Sequence, residues 1–338
     1  MELPVDLSTR YLGLELPHPF MPGASPLVDD LDLVRRLEDA GAAAIVLRSL
    51  FEEQLRAEQW AVHSALEEPA YSFAEATSYL PSPAHFKLGP HEYLEQLLKI
   101  RESVAVPVIG SLNGTSWGGW LEYAKQIEQA GADALEINLY QVVTDPERSS
   151  ETVEAEMLAV VGELASLLHI PVAVKLSPFY TALAHFAKRL VEVGAQGLVL
   201  FNRFYQPDLD IEALETRRKL QLSNSSELLL RLRWLAILSG RIETSYAVTG
   251  GVHTVEDALK AIFAGADAVQ VVSLLLKSGP EALISLRSAM SDWLEDHGYD
   301  SLAQAKGTLN LTKTPDPSAY ERVNYMHILQ SWEPGRNF

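Results

Sequence analysis

The feature that most constrains this chain is a short pattern that occurs four times. A helical stretch ends at a Gly-Ala pair, and an apolar, β-type run follows at once. The four copies are residues 38–48 (EDAGAAAIVLR), 128–140 (EQAGADALEINLY), 191–202 (VEVGAQGLVLFN) and 262–273 (IFAGADAVQVVS). Gly41, Gly131, Gly194 and Gly265 suit the left-handed position that closes a helix. The runs after them are too short for helices and too apolar for half-exposed strands, so they read as parallel strands covered on both faces. Residues 18–25, 107–114, 171–178 and 246–252 have the same character, and Pro107 and Pro171 open two of them, where no ladder donor is needed. Helical patterns such as 31–41, 120–131 and 186–194 separate most of the runs. Eight βα units predict an α/β fold, a closed (β/α)₈ barrel, with an open doubly wound sheet as the alternative. Two connections, residues 49–106 after the second strand and 203–245 after the sixth, are too long for simple turns. They predict elaborated loops over one end of the barrel, with some helix of their own.

Composition removes several functions. The net charge of −18 disfavours nucleic acid and acidic membrane surfaces as partners. With no cysteine, the chain has no disulfide, iron–sulfur ligand, thiolate zinc site or thiol nucleophile. No run approaches the roughly 20 apolar residues of a membrane span, and no secretory signal opens the chain, so a cytoplasmic protein is expected. The nine histidines form no metal-type pair.

The C-terminal strand ends, where such a barrel keeps its chemistry, are polar. They carry Arg48 and Ser49, Ser111 and Asn113, Asn138, Lys175, Asn202, Thr249-Gly250-Gly251, and Ser273. Converging amides, hydroxyls and two cations suit a flat heterocycle with several carbonyl and N–H groups, plus a phosphate. Lys175 ends the buried run PVAV and needs an anion. The edge of a reduced flavin, a structural salt bridge or a Schiff-base role each accounts for it. Gly250 and Gly251 precede Thr254 and Asp257, which have capping-box spacing. That places a phosphate-accepting turn at a helix start, with Val272-Ser273 alongside. No GxGxxG follows a strand, so a dinucleotide fold is not supported.

The stretches VAVKLSPFYT (172–181) and AVTGGVHTVEDALKAIFAGADAVQVVSLLLKSGP (247–280) resemble the dihydroorotate dehydrogenases, FMN-dependent barrel enzymes. The likeness runs from about residue 7 to about 307. It implies FMN as cofactor and hydride transfer between flavin N5 and a small pyrimidine-like or enoate substrate, at a CH–CH group. It implies Lys175 as the flavin lysine and Gly250, Gly251 and Ser273, beside Val272, as phosphate contacts. It places Ala24 and Ser25 near the flavin, and Asn113, Asn138 and Asn202 facing flavin and substrate. Arg48 stands where the family has lysine, and Ser49 beside it is kept. The likeness further implies a homodimer without a membrane extension. Residues 1–310 form the barrel on this reading, and 311–338 are an extension packing on it or on a dimer partner.

The substrate positions depart from the pattern. The family's Asn-x-Ser-Cys/Ser-Pro-Asn after the fourth strand reads Asn138-Leu-Tyr-Gln-Val-Val143, so the base position is Gln141 and the gripping asparagine is Val143. A further substrate asparagine is Ser82. The flavin site looks kept and the dihydroorotate site dismantled. Tyr140, Thr144 and Asp145 are candidates for a new proton donor or base, against the plainer reading of Asp145-Pro146 as a turn. Authentic dihydroorotate turnover, a Schiff-base aldolase using Lys175 and a non-catalytic flavin protein are the rival readings.

Overall fold

The computed structural model describes residues 4–51, 54, 89–114, 120–217 and 219–331. Its eight principal strands pair only with parallel neighbours: β1 (Phe20–Pro22), β2 (Ile45–Val46), β3 (Val108–Asn113), β4 (Ala134–Asn138), β5 (Val172–Leu176), β6 (Gly197–Leu200), β7 (Ser245–Thr249) and β8 (Ala268–Val271). Each strand's neighbours are the ones before and after it in the chain, and β8 pairs back with β1. The ring closes where the Ala43 N–H donates to the Phe20 carbonyl at 2.9 Å. The fold is the expected (β/α)₈ barrel, and the open-sheet alternative falls.

The helices follow from the pattern. They are α1 (Leu31–Asp39), α2 (Pro90–Ser103), α3 (Trp120–Gln129), α4 (Ser150–Leu167), α5 (Leu183–Glu192), α6 (Leu228–Ser239), α7 (Val255–Ala264), α8 (Ser273–Ser278) and α9 (Ala282–Asp296). The repeat glycines Gly41, Gly131, Gly194 and Gly265 have φ of 86°, 91°, 113° and 117°, the left-handed conformation predicted for them. Thr254 and Asp257 form the predicted capping box on α7. Outward strand residues such as Leu135, Ile137 and Val174 pack under the helices in the main core.

The inward residues make a separate core. At the N-terminal end of the barrel they are Ala43, Ala44, Ala134, Ala173, Ala247 and Ala268, too small to fill the interior. Tyr11, Leu12 and Leu16 fill it instead, from an antiparallel hairpin of Thr9–Tyr11 and Leu14–Leu16. A Cβ at Gly197 would stand 2.5 Å from Leu12 Cδ2, so β6 has no side chain where the hairpin enters. The hairpin is anchored by Thr9 Oγ1 donating to the Asp267 carbonyl, and Asp6 bridges to Ser301 near the far end of the chain.

Both long connections carry helix, as expected. After β2, Leu50–Phe51 continue the pairing with β3, and α2 closes the connection. Most of what lies between, including Ser82, is outside the described residues. After β6, the connection carries a small antiparallel hairpin, Asp208–Asp210 with Glu215–Arg217, then a 3₁₀ turn at Ser225–Glu227 that leads into α6. Asp210 drives the reversal by accepting from the Glu212 and Ala213 amides. Residues 311–321 lie along α6: the Leu311 amide donates to the Ala236 carbonyl, and Arg233 donates to the carbonyls of Tyr320 and Glu321. The helix Val323–Gln330 follows, with Tyr325, Met326, Ile328 and Leu329 exposed. Among the described residues no helix is long and apolar enough to cross a membrane.

Candidate active site

A cavity of about 350 Å³ opens at the C-terminal ends of the barrel strands. Its lining includes Ala24, Ser25, Arg48, Ser49, Asn113, Asn138, Tyr140, Lys175, Asn202, Gly250, Val272 and Ser273, which are twelve of the residues singled out in the sequence. Gly251 lies behind Gly250, buried, with its N–H turned to the Ser223 hydroxyl. Thr144 is not among the lining residues and is exposed, which removes the geometric ground for a catalytic role. Asp145 heads a turn, accepting from the Glu147 amide, as the plainer reading had it.

Strand register builds the floor. Asn113, Asn138 and Lys175 lie side by side on β3, β4 and β5. Two residues below Asn138, on the same inward face, is Glu136, 1% exposed. Lys175 Nζ lies 3.1 Å from Glu136 Oε1, and Gln270 Nε2 on β8 donates to Glu136 Oε2 at 2.5 Å. Lys175, which also lines the cavity, is thus paired with a carboxylate of this chain. Glu136 and Gln270 were missed in the sequence, although a single carboxylate inside an otherwise apolar buried strand was a usable signal. The other cavity cations are paired as well: Arg48 with Asp29 at 3.0 Å, and Arg203 with Glu227 at 2.9 Å.

Several polar atoms here are buried without a partner, among them Asn138 Oδ1, Ser25 Oγ and Gln270 Oε1. Such atoms cost free energy unless something hydrogen-bonds to them. Asn138 and Ser25 line the cavity, so a polar heterocycle there would satisfy both.

Under the ends of β7 and β8 lies a cradle. Gly250 and Gly251 have φ of 82° and 87°, and a Cβ on Gly251 would stand 2.6 Å from the Leu228 backbone nitrogen. The Ser223 hydroxyl lies 2.9 Å from Ser273 Oγ, 3.2 Å from His253 Nε2 and 3.3 Å from the Gly251 amide. Lys277 donates to the Ser223 carbonyl at 3.2 Å. Burial, and then the charge of Lys277, push His253 below the usual histidine range. Backbone N–H groups, hydroxyls and an ammonium at the approach to α7 are what a phosphate binds. Ser223 and Lys277 carried no sequence signal, because their place depends on the path of the long connection.

The outer rim is aromatic. Tyr140 and Phe204 have ring centroids 5.5 Å apart, Phe179 packs edge-on to Phe204 at 4.9 Å, and the Arg203 guanidinium lies 5.1 Å over the Tyr205 ring. Burial raises the Tyr140 hydroxyl above its ordinary range, so it stays protonated at neutral pH and can donate a hydrogen bond.

The dihydroorotate dehydrogenase family model matches residues 85–294. The chain belongs to the dihydroorotate dehydrogenase family. Among its relatives, a putative dihydroorotate dehydrogenase A (fumarate) of Aeropyrum pernix is 31% identical over 231 residues, 65% of this chain and 72% of the relative. The catalytic subunit of dihydroorotate dehydrogenase B (NAD(+)) of Thermoplasma acidophilum is 26% identical over 89% of this chain and 98% of its own length. The NAD-dependent dihydropyrimidine dehydrogenase subunit PreA of Escherichia coli is 24% identical over 94% of this chain and 82% of its own. Family membership makes the protein an oxidoreductase. Within that family, Gln141 and Val143 are two residues of this chain that do not line the cavity.

Proposed function

We propose that the cavity holds FMN and that the protein moves a hydride between flavin N5 and a small unsaturated or saturated substrate, pyrimidine-like or enoate, that is not dihydroorotate. The observation that carries the reading is one cavity with two matched ends. Unpartnered Asn138 Oδ1 and Ser25 Oγ lie on the floor, and the Gly250-Gly251 cradle lies to the side. Both ends fit the cofactor. FMN, when bound, supplies a two-electron hydride acceptor and donor. The residues do the rest. Ser223, Ser273, Lys277 and the Gly251 amide hold the phosphate, and Asn138 and Ser25 orient the ring by hydrogen bonds. Lys175 presents positive charge to the floor, and Tyr140 offers its hydroxyl at the rim as proton donor to the substrate. Tyr140, Phe204 and Phe179 form a wall on which a flat, uncharged substrate stacks.

The visible spectrum of the purified protein, followed by anaerobic addition of substrates, tests this. Flavin bands that dihydroorotate leaves unbleached and that another dihydropyrimidine or an enoate couple changes are expected. Bleaching by dihydroorotate would replace the changed-substrate reading with authentic dihydroorotate turnover. Absence of flavin after FMN is added back would sink the cofactor assignment. A cytoplasmic homodimer is part of the proposal, and sedimentation of the flavin-loaded protein checks its assembly. The word subunit in two relatives' names points to a second chain, which co-purification would show instead.

A further inference from the structure

The Glu136–Lys175–Gln270 cluster lies at the boundary between the apolar interior of the barrel and the cavity, and the roles given so far do not use Glu136. Its surroundings are unusual. Glu136 is a carboxylate on an inward strand position, two residues above the alanine layer that the N-terminal hairpin seals. Each of its oxygens has a donor, Lys175 on one side and the Gln270 amide on the other. Burial, and then the Glu136 charge, raise the Tyr11 hydroxyl well above the usual tyrosine range, which leaves a neutral phenol nearby.

A buried ion pair is a poor stabiliser. Its desolvation cost offsets most of the attraction, and apolar replacements of the whole pair are often neutral or better. Packing alone would fill this layer with more apolar side chains. Pairing also changes what Lys175 offers the cavity: an ammonium held by a carboxylate presents a smaller field upward than a free one.

We propose that Glu136 is a positioning residue that holds the Lys175 ammonium at the cavity floor and, by opposing its charge, sets how readily bound FMN accepts a hydride. The inference rests on the FMN reading above. A hydride brings two electrons and one proton from a substrate carbon to the ring, and the ring then carries a negative charge. A cation nearby stabilises that product, and a carboxylate on the same cation reduces the stabilisation. Glu136 therefore keeps the cofactor a weaker oxidant than Lys175 alone would make it. Gln270, donating to the second carboxylate oxygen, fixes the carboxylate so that it does not turn away.

The test is the two-electron midpoint potential of FMN in the holoprotein, measured for wild type, Glu136→Gln and Glu136→Asp. Glutamine keeps the volume and removes the charge. The potential is expected to rise by at least about 30 mV, a tenfold change in the equilibrium for two-electron reduction. Aspartate keeps the charge but withdraws it from Lys175 by one methylene, and a smaller rise is expected. A defect in packing would weaken binding of oxidised and reduced FMN alike and leave their ratio, which is the potential, unmoved. An unchanged or lowered potential in Glu136→Gln overturns the proposal. If that variant does not fold, an unchanged potential in Glu136→Asp overturns it equally. Wild-type protein that takes up no FMN would overturn the cofactor reading and this inference with it, whereas wild type that binds FMN beside variants of unchanged potential would overturn only the inference.

Discussion

The two ends of the cavity are built in different ways. The floor is made by strand ends, and the cradle by the turn after β7 and the start of α8 with Ser223 from the connection after β6; Asn138, Lys175 and Ser273 are all buried. The rim is made by side chains from three connections, and Phe179 and Tyr205 on it are exposed. A strand end is fixed by ladder hydrogen bonds on both sides, so a residue there cannot move without the barrel. A loop residue is held only by its own contacts. The difference teaches where change is cheap: substitutions at Gln141 and Val143 fall on the loop side and leave the floor intact.

If the floor is the chemical end, its lysine should matter most. Lys175→Met is expected to slow the anaerobic reduction of bound flavin by about 10²–10³-fold, the usual loss when one preorganised electrostatic group is removed. Stopped-flow absorbance would show it, and FMN should remain bound. A full-speed Lys175→Met enzyme would break the distinction between floor and rim.

Acid stability belongs to neither end. His18 lies buried two residues before β1, with its Nδ1 accepting from the Phe20 amide at 3.2 Å. Burial lowers it from 6.5 to about 4. The unfolded chain takes up the proton near pH 6.5, while the folded protein resists until about pH 4. The stability contributed by neutral His18 is therefore full above pH 6.5 and is lost as pH falls toward 4, by roughly 3 kcal/mol in all. Urea midpoints at pH 7 and pH 4.5 should converge in His18→Gln relative to wild type.

The cradle should tolerate no side chain. Gly251→Ala puts a Cβ against Leu228 at positive φ and is expected to destabilise the protein by about 1–3 kcal/mol. FMN retention, read by fluorescence, should fall with it. The rim should respond least. Phe204→Ala removes the ring between Tyr140 and Phe179 and should raise KM by up to about tenfold, equivalent to about 1.4 kcal/mol. Flavin content should not change. Thr144→Val, outside the cavity, should stay within about twofold on turnover, as surface changes usually do.

How much was legible follows the same division. The repeat of glycine and apolar run predicted the barrel, because left-handed helix ends and strands covered on both faces each demand a residue type. Most of the strand-end polar residues gathered in one cavity, because in a parallel barrel every strand ends on the same side, while Ser111 lies buried behind Ser49, 2.8 Å from its hydroxyl. Lys175 was read as needing an anion, and the partner turned out to be Glu136, which sat unremarked in ALEIN. The hairpin that fills the bottom was not legible. Its two three-residue strands, TRY and LEL, are too short to show alternation. Ser223 and the aromatic rim depend on loop paths that periodicity does not encode.

The sealed bottom has a consequence for synthesis. The hairpin leaves the ribosome before the strands that seat it. Its seat, however, includes Ala268 of β8, the carbonyl of Asp267 and the Asp6–Ser301 bridge. The hairpin must therefore wait, unpaired with its final partners, until β8 has been made. Contacts of such long sequence separation slow folding. A nascent chain cut short before β8 lacks part of the hairpin's seat, so the interior on which the cavity stands is finished only after β8 is made.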